Sequence, residues 1–237
     1  NNNLWLCGKD SILLYNTKTT QVMRLPNLLE DNITVVEQAD DTHFFIATEM
    51  GVRYTQFENE ALKVIPLDML DHVYTQINSL YFHPQLHRLF VGTFSDGTFA
   101  YDMSAHQIIK SDTKLGDVSI THIRPLNQKE LLVATEGMGV HKIDVNTCNT
   151  SPFIVANYES YNEMNGNNIT DIYIDEEKRI WLANYPAGIT VVDFRYKNFD
   201  FTMLWTGADQ VNRILQGPYR NPFGESHRSA LMQWVYD

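Results

Sequence analysis

The sequence predicts an all-β fold, a β-propeller of four-stranded antiparallel blades, and two observations carry that prediction. A short strand pattern recurs five times at intervals of propeller length. Each copy is followed by a turn and a second strand, which opens on glycine in four of the five copies. The copies read Leu4-Trp5-Leu6-Cys7-Gly8, Phe44-Phe45-Ile46-Ala47-Thr48, Leu89-Phe90-Val91-Gly92-Thr93, Leu131-Leu132-Val133-Ala134-Thr135 and Ile180-Trp181-Leu182-Ala183-Asn184. Their small-residue column falls at 7, 47, 92, 134 and 183, giving spacings of 40, 45, 42 and 49.

Taken in chain order, each unit begins with a strand of period two: Ile33-Thr34-Val35-Val36, Ile77 to Phe82, Ile120-Thr121-His122-Ile123 and Asn168 to Ile174. Turn formers follow, such as Gln38-Ala39-Asp40-Asp41 and Asp175-Glu176-Glu177-Lys178. The recurrent apolar strand comes next. After it a second turn leads to the strands opening at Gly51, Gly97, Gly139 and Gly188, where close backbone approach or positive φ is expected. A variable fourth segment closes the unit, as at Lys63-Val64-Ile65-Pro66 and Gln107-Ile108-Ile109-Lys110. The large side chains Trp5, Phe45, Phe90 and Trp181 are expected to pack between blades.

The first copy starts in mid-blade. After Asp193 the pattern weakens: 199–204 reads as the outer strand of the fifth blade, Val211 to Leu215 as a first strand, and Ala230 to Asp237 as a third strand. The expected division is therefore about five blades over 1–200, then a degenerate sixth blade or C-terminal extension over 201–237.

Composition bounds the function. A hydrophobic fraction of 43% suits a packed domain and excludes low-complexity disorder. The net charge of −11 argues against nucleic acid and against docking on an anionic membrane. Cys7, in the small-residue column, is expected to be buried, and Cys148 to sit in an exposed turn. Two cysteines do not make a disulfide framework. No apolar run is long enough for a spanning helix, and no signal peptide opens the chain. The eight histidines read as surface or turn residues. His83 and His87 are four apart, but Pro84 between them removes the helical geometry of a metal pair. No cofactor or metal is expected, and no catalytic residue stands out.

With strands running outward from the axis, the turns before the glycines share one face with the starts of the first strands. That face would carry Glu49, Phe94, Asp96, Glu136, Met138 and Tyr185, with Asn78 and Asn168 nearby. Aromatic rings can stack on the apolar faces of sugars while amides and carboxylates satisfy hydroxyls, so these eight residues are candidate ligand-binding residues. The same positions also fit ordinary solvated turns.

The fifth unit, Asn168-Ile169-Thr170-Asp171-Ile172-Tyr173-Ile174-Asp175, then Arg179 to Asn184, then Gly188-Ile189-Thr190-Val191-Val192-Asp193, resembles the two-component regulator propeller repeat. The family pattern is Asn-x-Ile-x-x-Ile-x-x-Asp, then Ile-Trp-Ile-Gly-Thr, then Gly-Gly-Leu-x-x-Tyr-Asp. The resemblance covers about 1–195. Only two copies keep the Trp, only the third keeps Gly-Thr, and no kinase, receiver or DNA-binding segment is present.

Such repeats form the periplasmic sensor of hybrid two-component histidine kinases. The resemblance therefore implies a non-enzymatic, extracytoplasmic domain that recognises an oligosaccharide or other small ligand and transmits a signal. Its implied partners are further propeller and signalling domains of a parent chain and a second copy in a homodimer, with the membrane reached only through that parent. The alternatives from other classes are a propeller-fold lyase or glycosidase, and a protein-binding scaffold.

Overall fold

The computed structural model describes residues 3–8, 11–26, 32–49, 51–65, 67, 75–110, 113–156, 164, 166–194 and 201–204. They form five antiparallel sheets in which strands pair in sequence order. The first sheet holds β1 (Asn3–Cys7), β2 (Ser11–Asn16) and β3 (Val22–Pro26). The second holds β4 (Ile33–Gln38), β5 (His43–Thr48), β6 (Gly51–Glu58) and β7 (Ala61–Ile65). The third holds β8 (Ile77–His83), β9 (Arg88–Thr93), β10 (Thr98–Asp102) and β11 (Gln107–Lys110). The fourth holds β12 (Ile120–Pro125), β13 (Glu130–Thr135), β14 (Val140–Asp144) and β15 (Thr150–Ile154). The fifth holds β16 (Ile169–Ile174), β17 (Ile180–Asn184), β18 (Gly188–Val192) and β19 (Phe201–Leu204). Up-and-down meanders of three or four strands are the blades of a β-propeller, the fold class expected from the repeat.

The chain divides into two compact units, 1–123 with 147–149, and 124–146 with 150–237. In the first unit, alternate residues of the recurrent strand face opposite neighbours. Phe44 and Ile46 of β5 pack with Ile12, Leu14 and Leu25 of the first sheet, while Phe45 and Ala47 pack with Leu80, Leu89 and Val91 of the third. Period two therefore serves two cores from one strand. Trp5 adds a tilted ring contact to Phe44 at 4.6 Å. In the second unit Leu132 and Ala134 of β13 meet Ile180 and Leu182 of β17, with Ile169, Ile172 and Val192 beside them. Each fully buried Leu or Ile of this kind contributes about 1.5–3 kcal/mol.

The small-residue column has a steric cause at Gly92, where an added Cβ would meet Ile120 Cγ2 at 2.6 Å. The glycine that opens the next strand has another. Gly97 has φ +64°, and a Cβ there would stand 1.9 Å from the Leu115 carbonyl oxygen.

The first strands of the blades are tied by side chains. Thr34 Oγ1 donates to the Ile77 carbonyl (2.9 Å), and Asn78 Nδ2 donates to the Ile120 carbonyl (3.0 Å). The Phe82 amide donates to Glu37 Oε1 and the Ile123 amide to Ser79 Oγ, both at 2.9 Å. Three of these strands carry the same bulge, between Ile33 and Val35, Ile77 and Ser79, and Ile169 and Asp171. The bulged residue is the second of the strand: Thr34, Asn78 or Thr170. In the first two, its side chain is the one that reaches the next first strand.

Two sequence expectations need correction, that for the cysteines and that for the histidines. Cys7 is exposed and Cys148 buried, the reverse of the expectation, and no disulfide joins them. Among the described residues, β1 pairs only with β2, and its small-residue position is the exposed one. Cys148 turns inward from a left-handed position at φ 59°. His83 and His141 are buried as well. Trp181 is half-buried on the face of β17 opposite Ile180 and Leu182, where it donates its indole N–H to Asp175 Oδ2 at 2.9 Å beneath the Arg179 guanidinium. The sixth-unit strands expected at 211–215 and 230–237 fall outside the described residues.

Candidate functional site

The turns that precede the glycine-opened strands are built on one polar residue at the end of the recurrent strand. Thr93 Oγ1 donates to the Gly97 carbonyl (2.9 Å) and accepts the Asp96 amide (2.9 Å). Thr135 repeats this with the Gly139 carbonyl (2.7 Å) and the Met138 amide (3.0 Å). Thr48 donates to the Gly51 carbonyl at 3.3 Å. In the fifth sheet Asn184 takes the position, and its amide donates to the Thr190 hydroxyl. These residues are buried, so their hydrogen bonds are what make the turns affordable inside a dry frame.

The next residue in each turn is free to vary, and reads Glu49, Phe94, Glu136 and Tyr185. Tyr185 is 67% exposed, Phe94 55% and Met138, two residues after Glu136, 40%. Large apolar side chains held out on short, internally bonded turns suit contact with a ligand.

In the first unit, the structure brings Phe94, Asp96 and Asn78 together. The Phe94 amide donates to the Gln76 carbonyl (2.8 Å), and Thr75 and Ser95 share a hydroxyl hydrogen bond at 2.9 Å. Ser95 Oγ points at Asp96 Oδ2 (3.4 Å), and Gln76 Nε2 donates to Asn78 Oδ1 (3.2 Å). Asn78 has its amide committed to Gln76 and Ile120 and acts as a positioning residue. Glu49 pairs with the Asn32 amide at 2.9 Å in the same unit. Thr75, Gln76 and Ser95 were not singled out in the sequence. The only signal was the polar run around Phe94.

In the second unit Glu136, Met138, Asn168 and Tyr185 come together. Glu136 forms an isolated antiparallel bridge with Asn168. The Gly137 and Gly139 amides donate to the Asn167 carbonyl (3.0 and 2.8 Å), and the Tyr185 amide donates to the Asn168 carbonyl (3.0 Å). Asn167 also accepts the Ala156 amide on its side chain at 2.7 Å, which makes it the hub of this group. Met138 is anchored a second time, its carbonyl lying 3.1 Å from His141 Nε2.

Strongly shifted carboxylates sit elsewhere. Desolvation opposes ionisation of Asp175, but hydrogen bonds from Trp181 and Arg179 and the Arg179 charge hold its carboxyl at about 2. Desolvation likewise opposes ionisation of Asp40, which the Thr42 and His43 amides and the His43 ring bring to about 2. Both aspartates organise turns at the opposite end of the recurrent strand from Phe94 and Tyr185. Among the described residues no three His, Cys, Asp or Glu side chains gather in a way that could hold a metal.

Residues 163–185 match the two component regulator propeller family. Among solved structures, the chain is similar to the extracellular domain of the hybrid two component system BT4673 from B. thetaiotaomicron. The match has a TM-score of 0.64 and 21% identity, and covers 81% of this chain and 26% of that one. It is also similar to the extracellular domain of the hybrid two component system BT3049 from B. thetaiotaomicron, with TM-score 0.53 and 14% identity, over 87% of this chain and 34% of that one. The computationally designed Ika8 protein shares the fold at TM-score 0.57 and 13% identity, over 85% of this chain and 59% of its own. A sequence search of curated proteins finds no match. This chain thus spans about a quarter to a third of the two bacterial domains. It has the β-propeller fold and carries, at 163–185, a repeat of the two component regulator propeller kind.

Proposed function

We propose that this chain is part of the periplasmic ligand-sensing propeller of a hybrid two-component sensor histidine kinase, and that exposed turns of each unit, that of Phe94 in the first and those of Met138 and Tyr185 in the second, contact an oligosaccharide. The observation that carries the reading is the contrast within those turns. A buried Thr or Asn fixes each one, and an exposed aromatic or thioether side chain stands next to a carboxylate or amide. Rings of this kind stack on sugar faces, and hydroxyls can be taken up by Asp96 and Glu49 in the first unit and by Glu136 and Asn168 in the second. The repeat matched at 163–185 and the likeness to two extracellular domains of hybrid two component systems support a sensor role and an extracytoplasmic location.

The domain performs no chemistry in this reading. Signal passes to further propeller and signalling domains of a longer chain by domain or dimer rearrangement, driven by the difference in ligand affinity between two states. The division into five blades over 1–200 and a sixth unit or extension over 201–237 belongs to the same reading.

The test is calorimetric titration against a panel of plant and host glycan fragments, with product analysis run alongside. Binding without new reducing ends or unsaturated products is the expected result, and Tyr185→Ala and Asp96→Ala each weaken it while thermal stability holds. Turnover of the glycan would replace the sensor reading with an enzyme. Unchanged titrations for both variants would remove these turns as binding surfaces.

A further inference from the structure

In the second unit, the turns that carry Met138 and Tyr185 belong to neighbouring sheets, yet both hang on two consecutive residues. The Asn167 carbonyl accepts the Gly137 and Gly139 amides (3.0 and 2.8 Å), the two that flank Met138. The Asn168 carbonyl accepts the Tyr185 amide (3.0 Å), and Asn168 is also bridged to Glu136. The short segment that leads into β16 therefore stands between the two turns and is bonded to each.

The Asn167 side chain fixes that segment from a third direction, its Oδ1 accepting the Ala156 amide at 2.7 Å. Ala156 is buried in the same core as Met164 and Ile169, so its amide needs an acceptor inside the protein. The fit is close on the Met138 side. Gly139 has φ +74°, and a Cβ there would meet the Ile154 carbonyl oxygen at 2.5 Å and Asn167 Oδ1 at 3.0 Å. The first unit ties its corresponding turn in another way, since the Phe94 amide donates to Gln76, just before β8 of the same sheet.

We propose that Asn167 is a positioning residue that locks the Met138 and Tyr185 turns into one binding surface, a role that rests on the reading that these turns contact an oligosaccharide. Asn167 works through its neighbours. Its side chain holds the segment, the carbonyls of the segment hold the two turns, and the exposed thioether and phenol ring are thereby set in a fixed arrangement. A surface ordered in advance spares the ligand the cost of ordering two separate turns on binding.

The first test is residue-resolved amide exchange on the unaltered protein, and it needs no ligand. The Gly137, Gly139 and Tyr185 amides should open in one event, with protection factors within about threefold of one another and the same dependence on dilute denaturant. Asn167→Ala should raise exchange at all three about fivefold, the loss of one hydrogen bond, while the amides of Leu132 and Leu182 in the core keep their protection. Asn167→Asp retains an oxygen for the Ala156 amide and should restore it.

The second test is calorimetric titration with cellohexaose, xylohexaose and maltohexaose, one at a time. A hexasaccharide that binds the parent should bind Asn167→Ala about fivefold more weakly and Asn167→Asp as well as the parent. Turns that open independently in the unaltered protein overturn the proposal, whether or not Asn167→Ala folds. So does a hexasaccharide that binds Asn167→Ala and the parent equally, or an Asn167→Asp variant that behaves like Asn167→Ala. If none of the three sugars binds while the turns still open together, the oligosaccharide reading loses support and the Asn167 clasp stands.

Discussion

The turn of the third sheet and that of the fifth solve one problem with different chemistry. At Thr93 a single hydroxyl joins the Gly97 carbonyl to the Asp96 amide, so the turn is closed on itself. At Asn184 the amide reaches along the sheet to Thr190, and the turn above it is held from outside, through the Tyr185 amide on the Asn168 carbonyl. Both leave a large ring in solvent, Phe94 in one and Tyr185 in the other. The lesson is a division of labour. The buried residue fixes the turn and tolerates little change, and the residue after it is free to be chosen for what it meets outside.

Substitutions that attack the frame should therefore separate sharply from those at the tips. The largest effect is expected at Leu182, fully buried in the core of the second unit. Leu182→Ala should lose about 2–5 kcal/mol in chemical denaturation. Gly97→Ala follows, because a methyl group there collides with the Leu115 carbonyl and the backbone is left-handed. A loss of more than about 1 kcal/mol is expected, and a neutral result would mean the turn can be rebuilt. Thr135→Val keeps the shape of the side chain and removes both hydrogen bonds of its hydroxyl, leaving the Gly139 carbonyl and Met138 amide to find new partners. About 1–3 kcal/mol should be lost, measured against the same change at an exposed threonine. At the tip, Tyr185→Ala should change stability by less than about 0.5 kcal/mol while altering ligand titrations.

Acid sharpens the comparison from another side. Asp175 titrates at about 2 when folded against an ordinary value of 3.8, so its contribution is complete above about pH 4 and is lost as pH falls through about 2. Asp40 follows the same sign with the same values. Stability measured from pH 5 down to pH 2 should fall steeply in the parent protein and less steeply in Asp175→Asn. Equal slopes would show that the Trp181 and Arg179 contacts do not favour the charged form.

Much of this was legible in the sequence because it depends on local pattern. Alternation in Ile77 to Phe82 and in Ile169 to Ile174 marks strands that the structure places at those positions, and the glycines at 97 and 139 sit where the backbone demands them. The Thr-x-x-x-Gly spacing of the turns was visible, though its hydrogen bonds were not. Neither the hub role of Asn167 nor the commitment of Asn78 to Ile120 could be read, since each joins residues far apart in the chain. The two cysteines show the same limit: Cys7 follows the pattern of a buried column yet is exposed, and Cys148 follows the pattern of a turn yet is buried.

By itself, then, the sequence determined the repeat, the strand order within each sheet and the positions that must stay small. These follow from the period of two and from backbone sterics, which act over a few residues. Only the tertiary structure decided which faces are covered and which polar groups are already spent on neighbouring strands. Those depend on what packs against a segment, and burial belongs to the neighbour as much as to the residue.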